Sequence, residues 1–437
     1  MRENGFDIHH VKLDNGVKVI ATPMSGRRSV VVGVWCLSGS AYEPDDKIGI
    51  SHFLEHMIFK GSRRYSAKEI VTTIERLGGS IDAYTSKQET CFHATVLGED
   101  IDTAIDVLSD IVLHPRLAPA DVEVERSVII SEIREAWENA DSLAQEILPA
   151  IMFIESPLGR PILGSINSVR NIKTEDLKEY WAKNFVSGNF IIAASGALDF
   201  EYFVSKVAEK FSDAKQGALK RELLPGKAKE GTITLINYDC QQVHVFVSAR
   251  TFPFADERRY ELALIDAILG RGSSSRLFQK VREEKGLAYN IQSFSELYTS
   301  TGLWAVYAAT SPDNLTKLLE SVLHEIDALR ANGISESELE DAKSFVRRRL
   351  LLSSESPWNN IARAIEADIH LGRYIPLSET IERIVSVKPE NVVSVANEIL
   401  NRERLSILIL GPVKKVDNLG FRVDEASVTD VFPWISG

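Results

Sequence analysis

Five short stretches of the chain carry the dense, β-branched apolar patterning of half-buried or buried strands: Ser29–Cys36, Thr90–Leu97, 188–194, 232–236 and 243–247. Between and beyond them the period lengthens to about 3.6 residues. Segments 66–78, 100–112, 121–140, 313–331 and 336–352 each place apolar side chains on one side and charges on the other, which predicts amphipathic helices. Helices and strands interleave without a dinucleotide-binding glycine pattern at any strand-to-helix turn, so the expected class is α+β, with mostly antiparallel sheets and helices packed on them.

The patterning occurs twice. Lys173-Thr174-Glu175-Asp176-Leu177 precedes an apolar strand ending at Gly196, and Lys388-Pro389-Glu390-Asn391-Val392 precedes another ending at Gly411, at a constant offset of 215. Upstream, the helical patterns opening at Pro119 and at Glu336 are 217 apart, nearly the same offset. Two halves built on one plan follow, 1–217 and 231–437. They are joined by a linker at 218–230, where Lys, Glu, Gly and Pro replace apolar anchors.

Composition narrows the functions available. The chain has 437 residues, 44% hydrophobic and 26% charged, with a net charge of −12, which disfavours nucleic acid and anionic lipid as partners. Three widely spaced cysteines, Cys36, Cys91 and Cys240, form neither a disulfide framework nor a metal motif and suit a reducing compartment. With charges throughout residues 1–20 and no long apolar run, a cytoplasmic protein that neither crosses nor rests on a membrane is expected. The loop 269–275 is rich in Gly and Ser but lacks the Gly-Lys-Ser/Thr ending of a phosphate loop.

The chemistry concentrates in Ser51-His52-Phe53-Leu54-Glu55-His56-Met57-Ile58-Phe59. On a helix, positions 52, 55 and 56 share one face, so two imidazoles one turn apart can bind one ion while a carboxylate points into the same space. This is the His-x-x-Glu-His order of the inverted zincins. The apolar residues around it predict a buried helix, where two histidines and a glutamate need a partner to offset their desolvation. A catalytic zinc takes a third protein ligand. On the helix 121–140, Glu125 and Glu132 both fall within the apolar arc marked by Val122, Ile129, Ile133, Ala136 and Ala140. Periodicity therefore leaves open which of the two ligates and which supports it, and a plain buried salt bridge is a further reading of Glu125. His93, in an alternating strand, reads as a packed side chain.

The block 49–62, the run Gly78-Gly79-Ser80-Ile81-Asp82-Ala83-Tyr84-Thr85 and the helix carrying Glu132 resemble the pitrilysin and mitochondrial-processing-peptidase family of zinc endopeptidases, and the resemblance covers essentially the whole chain. The spacing of 76 from His56 to Glu132 is that of the family's third ligand, which implies zinc held by His52, His56 and Glu132, one ion per chain, with Glu125 behind them. Ser275-Arg276-Leu277-Phe278 leads to Arg282 and to Gly286-Leu287-Ala288-Tyr289, resembling the family's Arg and Tyr pair, seven apart, that holds substrate over the metal. The resemblance further implies Glu55 as general base, a substrate-pairing edge strand after Gly79, and Phe59 lining the pocket past the scissile bond. Asp82 stands where the family commonly has Asn; the resemblance still implies Asp82 among the substrate-binding residues with Phe59, Ala83, Arg282 and Tyr289, its added negative charge bearing on the side-chain contact while backbone pairing at Ala83 is unaffected.

Aligning Gly61 with Gly270 sets Glu261, Leu264 and Ile265 opposite His52, Glu55 and His56, so the second half is a non-metal copy with roles in substrate holding and dimer formation. One chain carrying both motifs implies a homodimer in which each chain is half of a clamshell. That points to a peptidase acting on peptides or unfolded segments inside the chamber, with a processing-peptidase-like preference for basic ones. The alternative is an inactive structural relative of the same fold, which would be expected to have lost the metal residues this chain retains.

Overall fold

A computed structural model of the chain describes residues 8–219 and 222–436. Two six-stranded sheets organise them. The first has the order β1-β2-β6-β3-β5-β4, from β1 (His9–Lys12), β2 (Lys18–Pro23), β3 (Ser29–Cys36), β4 (Ser80–Thr85), β5 (Thr90–Leu97) and β6 (Phe190–Gly196). The second has the order β12-β7-β11-β8-β10-β9, from β7 (Thr232–Asn237), β8 (Val243–Thr251), β9 (Asn290–Leu297), β10 (Gly302–Thr310), β11 (Leu405–Gly411) and β12 (Arg422–Ala426). Each sheet is mostly antiparallel, with β2 parallel to β6 and β7 parallel to β11. The fold is α+β in two similar halves.

The sequence repeat reappears as structure. Helices Thr174–Asn184 and Pro389–Ile399 each start from a lysine, Lys173 or Lys388, whose N–H donates to the side chain three residues on, and each feeds the strand beside the centre of its sheet. The halves differ at one margin. The first sheet closes with β1 antiparallel to β2, the second with β12 parallel to β7.

The helix expected over 121–140 is Pro119–Glu138, and a second helix, Ala140–Met152, follows it directly. Pro119–Glu138 ends where Asn139 leaves helical backbone (φ −82°, ψ 114°), and Asn139 then caps Ala140–Met152 by accepting the Ser142 N–H at 3.1 Å.

Each half also lends a helix to the other. Ala140–Met152, from the first half, packs on β8 and β11 of the second sheet. Pro357–Leu371, from the second half, lays Ile361, Ala364 and Ile365 on Ile20, Trp35, Cys91, Ile191 and Ala193 of the first sheet, and the His93 ring lies tilted against Trp358 at 4.4 Å. Ion pairs Lys18–Asp368 and Arg27–Glu355, both 2.6 Å, fasten the same junction. In the connecting segment, Lys227 exchanges backbone hydrogen bonds with Ile154 (2.8 and 2.9 Å); residues 220–221 lie outside the described residues. Among the described residues no helix is long and apolar enough to cross a membrane.

Candidate metal centre

Helix Ile50–Ile58 buries Ile50, Phe53, Leu54, Met57 and Ile58, which leaves His52, Glu55 and His56 on the side facing β4 and the helix Pro119–Glu138. Its start is fixed by an acid from outside the local sequence window. Gly49 sits at φ +91°, where a Cβ would come 2.7 Å from the Leu163 carbonyl oxygen, and the two oxygens of Glu43 accept the free N–H groups of Gly49 and Ser51, each at 2.7 Å. Burial pushes the Glu43 carboxyl up to about 7, against the pull of those two backbone donors.

The ligand atoms converge. One atom each from His52, His56 and Glu132 lies within 4.8 Å of the others. Glu132 Oε2 is 3.5 Å from His56 Nε2 and 3.9 Å from His52 Nε2. These separations are long for hydrogen bonds and near the edge of a tetrahedron whose ligand atoms stand ~2.1 Å from zinc, an edge of about 3.4 Å. Burial, and then the neighbouring His56, pull His52 down to about 3, so it is neutral at pH 7 with a ring lone pair available. The donor set therefore fits zinc in type and in spacing.

The two glutamates that periodicity left equivalent are separated by depth. The Glu132 side chain is 41% exposed and reaches both Nε2 atoms; the Glu125 side chain is 4% exposed and stands behind His56, with Oε2 3.1 Å from Nδ1. Glu125 also has an ion pair, to Lys60 Nζ at 2.6 Å, in which the carboxylate is buried and the lysine half-buried. Glu55 is held by Thr85, whose hydroxyl donates to Oε2 at 2.5 Å from the end of β4. Burial raises the Glu55 carboxyl, with Asp82 and Glu132 adding to the effect and Thr85 and His56 opposing it. Lys60 and Thr85 were missed in the sequence because each acts across the fold, and Glu43 because it caps the helix from six to eight residues upstream, beyond the usual capping position.

β4 is the outer strand of its sheet, paired with β5 alone. Ala83, expected to offer its backbone to substrate, already donates its N–H to Asp82 Oδ1 at 2.8 Å, so an incoming strand displaces that contact first. Phe59 ends the helix, tilted against Phe92 at 6.1 Å. In the second half, helix Arg259–Leu269 takes the place of the metal helix, with Leu264 and Ile265 fully buried. Arg282 lies over the Tyr289 ring at 5.3 Å, and Tyr289 is 81% exposed. Among the described residues no hydrogen bond, ion pair or ring contact joins this pair to His52, His56 or Glu132.

Residues 18–166 match the insulinase family (peptidase family M16), and residues 171–346 match the peptidase M16 inactive domain. A zinc protease of Rickettsia felis, described as uncharacterized, is 34% identical over 413 residues, covering 94% of this chain and 98% of the relative. The chain belongs to peptidase family M16. Similarly described zinc proteases of Mycobacterium bovis (33% over 408 residues, 92% of each chain) and Bacillus subtilis (32% over 398 residues, 90% of this chain and 96% of the relative) resemble the M16 chain throughout. A protease from Helicobacter pylori shares its fold, with a TM-score of 0.85 at 20% identity over 92% of this chain and 99% of the other. So does a peptidase M16 inactive domain from Pseudomonas fluorescens, with a TM-score of 0.86 at 20% identity over 94% and 100%. Zinc is the cofactor of this M16 protein.

Proposed function

We propose that the chain is a zinc-dependent endopeptidase that cleaves peptides or unfolded segments. The reading is carried by one observation: two imidazole nitrogens and a carboxylate oxygen gathered within 4.8 Å beside a second carboxylate, Glu55, that is not among them. His52, His56 and Glu132 hold the ion. Zinc bound there supplies a Lewis acid that polarises the scissile carbonyl and acidifies a water. Glu55, oriented through Oε2 by Thr85, takes one proton from the attacking water at Oε1 and passes it to the leaving amine as the C–N bond breaks. Tyr289 donates to the developing oxyanion and Arg282 anchors a substrate carbonyl. Digestion of an unstructured peptide is expected to stop on addition of a strong chelator and to return with zinc; cutting that survives complete metal removal would overturn the assignment.

The working unit in this proposal is a cytoplasmic homodimer, with the compartment inferred from cysteine usage. Tyr289 is too exposed to serve a site closed within its own chain, and its lack of contact with the ligand cluster favours action on the partner's site. Glu55→Gln and Tyr289→Phe proteins, each inactive alone, are expected to recover about a quarter of wild-type activity when mixed, because half the dimers become mixed and each of those rebuilds one site. No recovery despite demonstrated subunit exchange would reject the arrangement.

Preference for basic peptides rests on a cavity of about 1070 Å³ that runs from Thr85 to the second half. Glu89, Glu146 and Glu366 line it together with Lys87 and Arg363, which act on Glu146 and Glu366 from a distance, and among the described residues none of the three acids has an ion-pair partner within 4 Å. Burial raises all three, Glu366 to about 7, which favours any ligand that brings positive charge. Peptides differing only in one Arg or Ala on either side of the scissile bond are expected to differ in kcat/KM by ~10-fold or more in favour of Arg, the scale of one partly desolvated charge pair. Equal rates would remove the preference.

A further inference from the structure

We propose that Lys60 is a positioning residue of the metal centre, acting through Glu125 on His56. The inference rests on the metal-site reading above and extends it to a residue outside the ligand set. Glu125 is almost fully buried, and both of its oxygens are engaged: Oε1 by Lys60 Nζ at 2.6 Å and Oε2 by His56 Nδ1 at 3.1 Å. With Nδ1 committed as the donor to Oε2, the lone pair of His56 is placed on Nε2, the atom that faces Glu132.

Lys60 is itself anchored on both sides. Its N–H donates to Met57 O at 3.1 Å, and its carbonyl accepts from Arg116, which also pairs with Asp121 at 2.7 Å. Asp121 is on the helix that carries Glu125 and Glu132, so the turn after the histidine helix is stitched to the glutamate helix next to the Lys60–Glu125 pair. The arrangement also balances charge. Without Lys60 a buried carboxylate would face the imidazole with no cation, a costly state that the surroundings relieve by moving. His52 has no such support: its Nδ1 is buried and has no hydrogen-bond partner among the described residues. Orientation of the ligand pair therefore depends on the His56 side.

The test titrates the metal-free full chain with zinc against a chromophoric chelator, and with cobalt(II) followed by its visible absorption. Lys60→Met is expected to weaken zinc binding about 10–100-fold, the scale of losing a support behind a histidine ligand, and to change the cobalt bands. Lys60→Arg, which keeps the charge, recovers most of the affinity. Because Lys60 works through Glu125, the double variant Lys60→Met/Glu125→Gln is expected to bind no more weakly than Glu125→Gln alone. Wild-type affinity and cobalt spectrum in Lys60→Met, or additive losses in the double variant, would overturn the proposal. If Lys60→Met does not fold, Lys60→Gln takes its place, and failure of both to fold would assign Lys60 to folding and overturn it equally. A wild-type chain that binds no zinc would instead strike the metal-site reading itself.

Discussion

Glu55→Gln is expected to cut the rate of peptide hydrolysis by about 10²–10⁴-fold, the usual contribution of a positioned general base, while zinc remains bound. The amide keeps the shape of the carboxylate and an oxygen to accept the Thr85 hydroxyl now 2.5 Å away, so the substitution removes proton transfer and little else. Substrate affinity should change less than turnover, because the loss falls on a step made only in the transition state. The comparison with His52→Ala makes the result specific. Losing an imidazole from a three-ligand set should release the metal and the activity together. Rates on a fluorogenic peptide, with metal content measured on the same samples, check both. A Glu55→Gln protein that keeps a tenth of wild-type turnover would remove Glu55 from the role, and one that loses its zinc would place it among the supports of the metal instead.

Much of the fold can be read along the chain because its signals are local. β3 and β5 begin and end where their apolar runs do, and the repeated Lys173 and Lys388 segments become equivalent helix starts. His52, Glu55 and His56 are one turn apart, so a single helix fixes their common face whatever surrounds it. Glu132 is different. Periodicity put it on the same arc as Glu125, since the two are seven residues apart; the choice of Glu132 came from the family spacing to His56, and in the structure burial separates the carboxylate behind His56 from the one reaching both imidazoles. Contacts between distant segments left no trace in the pattern: Thr85 on Glu55, Lys60 on Glu125. The exchanged helices make the same point on a larger scale. An amphipathic stripe on Ala140–Met152 says which face is buried, but not that the sheet covering it belongs to the other half.

Phe432→Ala is expected to destabilise the whole chain by about 3–5 kcal/mol, the cost of deleting a fully buried aromatic side chain. Phe432 belongs to the second half by sequence, and it is fully buried in the apolar cluster that joins the first half's core to the second sheet, edge-on to Trp137 at 5.7 Å and to Trp434 at 5.2 Å. Trp137 lies five residues beyond Glu132 on the same helix, and its carbonyl accepts the Tyr238 hydroxyl at 3.1 Å. The back of the glutamate helix is therefore packed by side chains from beyond the linker, and a cavity at Phe432 would let that helix shift where Glu132 must meet two imidazoles. Two readouts separate these consequences. Urea unfolding followed by far-ultraviolet circular dichroism should give a lower midpoint, and Phe432→Leu, which leaves a smaller void, should lose less, about 1 kcal/mol. Zinc affinity should fall in the same order. A loss under 1 kcal/mol for Phe432→Ala would mean that the segment 428–436 rests on the first half without supporting it, and the helix that carries Glu132 would then owe its position to the first half alone.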